Sequence, residues 1–164
     1  MAIRNAAKAL IIKDGKLLIN KNQNTLGDMC YGLPNGTVYY DLPGGGQNQY
    51  ETLEDAVIRE CIEESGYTVA VERLAAVYEE NSMHEGFRSA YQDYAHKINF
   101  IFICHLAGEP VKPLAEKDLD MLESVWVDLV EMKGIPLYPQ IINENLDRIL
   151  TSENTIFLGS ERYE

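Results

Sequence analysis

Three glutamates, Glu60, Glu63 and Glu64, lie within five positions of one another in a segment that has the pattern of a short helix. At about 100° per residue, their side chains fall within an arc of about 100° on one side of that helix. Like charges at these spacings repel one another, and more strongly when they are partly buried. The arrangement therefore predicts a bound cation, and ligands that are all oxygen atoms favour Mg²⁺ or Mn²⁺. The alternative is an acidic face exposed to solvent.

The helix that carries these carboxylates has local signals at both ends. Thr52, with Asp55 three residues later, resembles a capping box, and Gly66 supplies the stop. Between them, apolar residues recur at helical spacing, at Leu53, Ala56, Val57 and Cys61. The apolar face of the first turns thus becomes acidic toward the end of the helix.

The same segment resembles the Nudix box of the Nudix hydrolases. The pattern is Gly45, five residues, Glu51, seven residues and then the run 59–67, and every fixed position is filled. The strand and the Pro-Gly-Gly turn immediately before it are also similar to those of the family. Cys61 and Tyr67 stand where the family usually has aliphatic residues, a difference that concerns packing behind the helix and leaves the chemistry unchanged.

The resemblance implies a fold class and a reaction. The fold is α/β, an α/β/α sandwich with a mixed β-sheet between helices, in one domain over 1–164. The reaction is the metal-dependent hydrolysis of a phosphoanhydride bond in a nucleoside diphosphate linked to another group, such as ADP-ribose, or in a nucleoside triphosphate. The cofactor is Mg²⁺, with Mn²⁺ as a possibility. The chain lacks the subgroup markers that would select one substrate. Two alternatives stay open, a noncatalytic regulator of the same fold that binds nucleotides and a structural cation site.

The resemblance also assigns roles to single residues. It implies that the metal ligands are the carboxylates of Glu60, Glu63 and Glu64 and the main-chain carbonyl of Gly44. Arg59 is expected to orient a glutamate and to pair with Glu51. Together with Glu60 and Glu63, these two residues form the expected catalytic set.

The general base is left open, because it must lie within hydrogen-bond reach of a metal-bound water. One of the box glutamates is a candidate. Some members of the family recruit an acid from a later loop, for which the candidates are Glu116, Asp118 and Glu123.

Two segments outside the box invite a role in substrate binding. Tyr39 and Tyr40 precede the glycines, and one of them could stack on a nucleobase or pack in the core. The connection 79–95 is too long for a tight hairpin and contains several aromatic side chains and Arg88. We take Tyr40 and Arg88 as the substrate-binding candidates. The connection itself could be a lid, a contact in a homodimer or an exposed variable loop.

The composition is that of an ordinary globular protein, with 46% hydrophobic and 24% charged residues in a chain of 164. No stretch approaches the ~20 apolar residues of a membrane span, and the amino terminus lacks the features of a signal peptide. We therefore expect a cytoplasmic protein with no membrane partner. The net charge of -12 disfavours nucleic acid as a partner and means that an anionic nucleotide substrate must be admitted through metal.

The three cysteines and three histidines show no spacing typical of a disulfide framework or a metal site. We interpret them as incidental or structural residues.

The predicted order of elements is strands, helix, strands, helix. Hydrophobic alternation predicts strands over 6–12, 16–20, 37–41, 68–78, 97–106 and 124–127. After the box helix, a second, amphipathic helix is predicted over 139–150 from the helical spacing of Ile142, Leu146 and Ile149. This order favours a mixed sheet between helical layers.

Overall fold

The computed structural model describes residues 3–112 and 120–163. The strands are β1 (Arg4–Lys13), β2 (Lys16–Gln23), β3 (Val38–Asp41), β4 (Gly44–Gly46), β5 (Val69–Ser82), β6 (His96–Leu106), β7 (Met121–Asp128) and β8 (Ile156–Tyr163). The helices are α1 (Leu53–Ser65), α2 (Glu85–Ala90), α3 (Gln140–Glu144) and α4 (Leu146–Thr151), and short 3₁₀ turns cover Gly27–Met29 and Leu129–Gly134.

The eight strands form one mixed sheet in the order β3-β2-β1-β6-β5-β8, with β4 beside β1 and β7 beside β2. Strand β1 runs parallel to β6 and antiparallel to β2 and β4. At the other side of β6, β5 pairs antiparallel, and β8 then adds to β5 in parallel. The glycine strand β4 is therefore joined to the middle of the sheet through β1.

Helix α1 covers one face of the sheet. Its buried side chains Ala56, Val57 and Cys61 pack against Ala9 and Ile11, which point to the same side of β1. Alternate residues of a strand point to opposite faces, so the neighbouring Leu10 of β1 belongs to a second core.

The second core lies on the opposite face, under α3 and α4. Ile142, Leu146 and Ile149 of these helices pack against Leu10 and Ile19 of the sheet. Helices thus cover both faces of a mixed sheet, and the predicted α/β/α sandwich is confirmed.

The structure differs from the predicted elements in several places, and one of them is α2, which lies in the connection 79–95 where no helix was predicted. The helix predicted over 139–150 is divided into α3 and α4 at Asn145, whose side chain donates to the carbonyl oxygen of Ile141 at 2.9 Å and competes with the helical pattern. Strand β5 continues to Ser82, beyond the predicted end at Tyr78, because its polar last residues pair with both β6 and β8. Strands β4 and β8 were not predicted, since three glycines have no strand propensity and β8 is an edge strand with mixed exposure.

None of the described helices is long and apolar enough to cross a membrane. The histidines serve local contacts: His84 accepts a hydrogen bond from the first turn of α2, His96 lies 2.6 Å from a carboxylate oxygen of Glu79, and His105 contacts Glu72.

Candidate active site

The box helix begins and ends where its sequence predicts. The hydroxyl of Thr52 accepts a hydrogen bond from the amide of Asp55 at 3.1 Å, and the carboxylate of Asp55 accepts one from the amide of Thr52 at 3.3 Å. Gly66 ends the helix with a φ of 76°, in the left-handed region. These reciprocal caps fix the rotation of α1, so that its last two turns face the glycine strand β4.

The glycines of β4 allow the helix and the sheet to approach closely. Gly44 has a φ of 126°, and a Cβ atom there would collide with the main chain of Ala7 in β1. A Cβ atom on Gly45 would lie 2.6 Å from the carboxylate carbon of Glu60. The main chain of β1 therefore occupies the space beside Gly44, and the carboxylate of Glu60 occupies the space beside Gly45.

Arg59 connects the carboxylates of the box. Its Nε and Nη2 atoms donate to the two oxygens of Glu51 at 2.8 and 3.0 Å, and its Nη1 atom donates to Glu60 at 2.8 Å and to Glu63 at 3.0 Å. Nη2 also donates to the carbonyl oxygen of Gly46 at 2.9 Å. The hydrogen bonds from Arg59 lower the pKa of Glu51, so this carboxylate stays charged. The contact between Arg59 and Glu51 is the expected one, while their catalytic roles remain predictions.

Glu64 lies apart from this group, on the buried side of α1. One of its carboxylate oxygens accepts hydrogen bonds from the side-chain amide of Asn20 and from the main-chain amide of Gly44, both at 2.8 Å. Burial raises the pKa of Glu64 to about 8, although the nearby Lys8 ammonium acts in the opposite direction. The carboxyl group can therefore hold a proton at neutral pH.

The three box glutamates do not converge on one point. In the described part of the chain, no group of three or more His, Cys, Asp or Glu side chains is arranged to hold a metal ion. Arg59 draws Glu60 and Glu63 to one side, and Glu64 bonds to the sheet on the other. Each of these carboxylates nevertheless keeps one oxygen without a hydrogen bond among the described residues.

The surroundings of Lys8 show that the region around β4 can hold a positive charge. Its ammonium group donates to the carbonyl oxygens of Gly44 at 2.5 Å and Leu42 at 3.1 Å, and to the carboxylate of Asp41 at 3.4 Å. Burial alone would lower the pKa of Lys8, but the charges of Asp41, Glu64 and Glu60 more than offset this effect and raise it. The surrounding oxygens thus stabilise a positive charge, and the donor set fits a hard divalent cation. The carbonyl of Gly44, the predicted main-chain ligand, is engaged by Lys8 in this arrangement.

A cavity of about 230 Å³ opens beside β4. Five tyrosines from distant parts of the chain lie in its wall: Tyr31, Tyr39, Tyr94, Tyr138 and Tyr163. The ring centroids of Tyr31 and Tyr138 are 4.8 Å apart in a stacked arrangement, and those of Tyr31 and Tyr163 are 5.2 Å apart. We call this space the tyrosine cavity. From the sequence, Tyr39 was considered as a stacking alternative to Tyr40, and Tyr94 was noted as part of the connection 79–95, while Tyr31, Tyr138 and Tyr163 were not considered.

A buried charged group also lines the tyrosine cavity. Glu80 is 1% exposed, and one of its oxygens accepts hydrogen bonds from the ammonium of Lys97 at 2.7 Å and the amide of Asn99 at 3.1 Å. Burial would raise the pKa of Glu80, but Lys97 and Asn99 outweigh it and lower the pKa. The cavity therefore contains a charged carboxylate that no local sequence pattern pointed to.

The two predicted substrate-binding residues, Tyr40 and Arg88, lie outside the wall of the tyrosine cavity. Tyr40 packs against the core under α3 and α4, and its amide donates to the carbonyl of Pro136 at 3.0 Å. Arg88 lies on α2, with a long hydrogen bond of 3.5 Å to Asn81. Neither is among the residues that line the tyrosine cavity. The connection 79–95 does contribute to this cavity, through Phe87 and Tyr94.

Of the three candidates for a supplementary acid, the structure describes only Glu123. Glu123 lies on β7 with an exposed side chain, 3.7 Å from the ammonium of Lys21. Glu116 and Asp118 lie outside the described residues.

Comparison with known proteins assigns the family. The family model of the NUDIX domain matches residues 3–146, and the chain belongs to this family. An ADP-ribose pyrophosphatase of Methanocaldococcus jannaschii is 31% identical over 107 residues, which are 65% of this chain and 53% of the relative. The chain thus spans about half the length of that relative.

Solved structures show the same fold at low sequence identity. An ADP-ribose pyrophosphatase from Streptococcus suis superposes with a TM-score of 0.62 at 22% identity, covering 95% of this chain and 99% of the other. A MutT protein from Bacillus halodurans superposes with a TM-score of 0.66 at 18% identity, covering 98% and 90% of the two chains. These likenesses support the fold and leave the substrate open.

Proposed function

We propose that this chain hydrolyses a phosphoanhydride bond in a nucleoside diphosphate derivative, such as ADP-ribose, or in a nucleoside triphosphate, with Mg²⁺ or Mn²⁺ as cofactor. The observation that carries the proposal is the group of Glu51, Arg59, Glu60 and Glu63, which Arg59 holds against the glycine strand β4, whose glycines line the tyrosine cavity. Membership of the NUDIX family and the similarity to an ADP-ribose pyrophosphatase support it.

The residues that would hold the metal are Glu60, Glu63 and Glu64, with the carbonyl of Gly44. When bound, a divalent cation there would offset charge on the pyrophosphate and make a bound water more acidic. The ammonium of Lys8 uses one of the two lone pairs of the Gly44 carbonyl oxygen, so a cation there would either share this oxygen with Lys8 or displace the ammonium. Since Lys8 also bonds to Leu42 and Asp41, it keeps two of its three partners after such a shift.

Arg59 has the role of holding the carboxylates in place. Because Glu51 fixes its guanidinium from two sides, the Nη1 atom is directed at Glu60 and Glu63. A carboxylate held in this way presents its remaining oxygen in one direction, which favours proton abstraction at a fixed point. Glu63 is 32% exposed and Glu60 17% exposed, so both can be reached from the solvent side.

The tyrosine cavity is the proposed site of the nucleobase. Flat rings at its wall favour a flat aromatic ligand, and the charged Glu80 beneath them is held by Lys97, Asn99 and the hydroxyl of Tyr31. The glycines of β4, which line the same cavity, would place the phosphates next to the box carboxylates.

The test is a panel of ADP-ribose, NADH, diadenosine polyphosphates, nucleotide sugars and nucleoside triphosphates, with Mg²⁺ or Mn²⁺ and with chelator. We expect turnover of one group of substrates that requires metal and falls by about 100-fold or more in Glu63→Gln, the size of a general-base or positioning effect. Glu54→Gln is the matched control, because Glu54 is an exposed acid in the first turn of the same helix.

Two results would contradict the proposal. One is turnover that is unchanged in Glu63→Gln, which would remove this carboxylate from the reaction. The other is tight binding of a nucleotide with no turnover in the presence of metal, which would favour the noncatalytic regulator.

A further inference from the structure

Arg4, the first residue of β1, is fixed beside the candidate active site by two unlike contacts. Its guanidinium lies where a Cβ atom of Gly46 would otherwise be, so the glycine provides room for it. From another side, the ring of Tyr94 lies 4.5 Å from the guanidinium carbon in a cation–π contact. Neither contact uses the N–H groups of Arg4 as donors.

The other cations around the site are already paired with carboxylates. Lys8 pairs with Asp41, Lys97 with Glu80, and Arg59 with the acids of the box. Among the residues that the structure describes, the side chain of Arg4 makes no ion pair and no hydrogen bond. In a chain with a net charge of -12, a cation beside the candidate site that is not neutralised by a carboxylate is available to an anionic ligand.

Arg4 also stands where two cavities meet. It lines the tyrosine cavity and, in addition, an open cavity of about 460 Å³ formed with residues 47–51 and Asp93. Arg4 packs against Gly46, whose carbonyl oxygen accepts a hydrogen bond from Arg59 at 2.9 Å. An anion bound at Arg4 would therefore lie next to the box carboxylates, along the strand that separates the two cavities.

We propose that Arg4 is a phosphate-binding subsite of this protein. Its planar fork of N–H donors can bind two phosphate oxygens at once, which a lysine ammonium cannot do. The ligand is the pyrophosphate part of a nucleotide, whose second group would extend into the open cavity. The inference rests on the proposed function for the identity of the ligand as a nucleotide.

The experiment measures binding of inorganic pyrophosphate by titration calorimetry in the presence of chelator, so that neither metal nor turnover is required. Wild type is expected to bind in the millimolar range or tighter, and Arg4→Gln is expected to weaken binding about tenfold, the loss of one charge-assisted contact. Arg162→Gln is the control, because it removes the same charge from an exposed position on β8. Arg4→Lys is expected to restore part of the affinity.

A second variant reaches Arg4 without changing it. Gly46→Ala places a methyl group where the guanidinium lies, and the flexible side chain must move away. Pyrophosphate binding should fall as in Arg4→Gln, with a melting temperature close to that of wild type. Gly134→Ala, where a Cβ atom meets nothing within 4 Å, serves as its control.

The outcomes separate this inference from the proposed function. Equal binding of pyrophosphate by wild type and Arg4→Gln, an equal loss in Arg162→Gln, or no saturable binding by wild type would each overturn the subsite. If the protein still hydrolyses a nucleotide when such a result is found, the proposed function holds and the subsite is rejected. Conversely, binding that depends on Arg4 in a protein without turnover on any substrate would support the subsite and contradict the hydrolase.

Discussion

At the residue scale, one guanidinium contacts three carboxylates of the box. Arg59 contacts Glu51, Glu60 and Glu63, and its pKa is raised by the hydrogen bond to Glu51 and by Glu60 despite the opposing effect of burial. Without it, three carboxylates would face one another across a few ångströms. Arg59 therefore reduces the repulsion among these carboxylates, and Glu51 acts on Glu60 and Glu63 through its contact with Arg59.

Glu51→Gln tests that indirect role. The substitution removes the bidentate partner of Arg59, so the guanidinium can turn and no longer directs Glu60 and Glu63. We expect kcat to fall by about tenfold to 100-fold, while the free energy of unfolding falls by only about 1 kcal/mol because the pair is partly exposed. Steady-state kinetics and urea unfolding measure the two effects. An equal kinetic loss in Glu54→Gln would show that the charge of α1, not the contact with Arg59, is responsible.

Glu64 predicts how the metal-free protein responds to pH. Its pKa is raised by burial to about 8, above the value near 4.5 of the free carboxyl, so between these values the folded state holds a proton that the unfolded state lacks. The contribution of Glu64 to the free energy of unfolding is thus fully present below about pH 4.5 and is lost as the pH rises through 8. The free energy of unfolding falls over this range by at most about 1.4 kcal/mol per pH unit. Urea unfolding in chelator at several pH values should show this decline in wild type and lose it in Glu64→Gln.

The control for this pH series is Glu54→Gln, which should parallel wild type because Glu54 is exposed. A difference in stability between wild type and Glu64→Gln that is the same at pH 5 and pH 8 would contradict the raised pKa.

At the element scale, the parts that sequence could predict are those with local causes. The capping box, the stop at Gly66 and the spacing of apolar residues all lie within α1 or at its ends, so both the helix and its acidic face followed from the sequence. The tyrosine cavity could not be predicted in this way. Tyr31 and Tyr163 meet only because β8 adds to the edge of β5, a pairing between distant segments for which the chain has no local signal.

The same reasoning applies to charged groups. Glu80 and Asn99 are neighbours across β5 and β6, and neither stands in a recognisable motif. Arg4 depends on a glycine 42 positions later and on a tyrosine after α2. Alternation alone does not decide which side of β3 faces the core, so the sequence could not place Tyr39 in the wall of the tyrosine cavity and Tyr40 against the core.

Alanine substitutions at Gly44 and Gly45 of the glycine strand should differ in their effects on stability and activity. Gly44→Ala forces a side chain into a left-handed conformation and against the main chain of Ala7, so a loss of stability of several kcal/mol is expected from strain and displacement. Gly45→Ala meets only the carboxylate of Glu60, which can move. This variant should stay folded but lose activity. Thermal unfolding and kinetics of both, beside Gly134→Ala, give the comparison.

The order of these effects is what the strand geometry requires. If Gly44→Ala were as stable as Gly134→Ala, then β4 would not approach β1 as closely as the structure describes. If Gly45→Ala kept full activity, the contact between β4 and Glu60 would have no part in the reaction.

At the scale of the whole molecule, the net charge of -12 means that any cation stabilises the folded chain to some degree by screening. A divalent ion bound at Glu60, Glu63 and Glu64 should do more, because only the folded chain offers these carboxylates together as ligands. At a concentration about 100 times its dissociation constant, such an ion adds about 2.7 kcal/mol to the free energy of unfolding, which corresponds to a rise in Tm of about 5–10 °C.

Calorimetry with Mg²⁺ and with NaCl at equal ionic strength separates the two effects. We expect the larger rise with Mg²⁺ in wild type, and in Glu63→Gln a rise no greater than that with NaCl, because the variant loses a ligand but keeps a net charge of similar size. Glu54→Gln carries the same change of charge outside the site, so its response should equal that of wild type. If Glu54→Gln and Glu63→Gln respond alike to Mg²⁺, the ion acts on the total charge of the molecule, and the box carboxylates do not form the metal site.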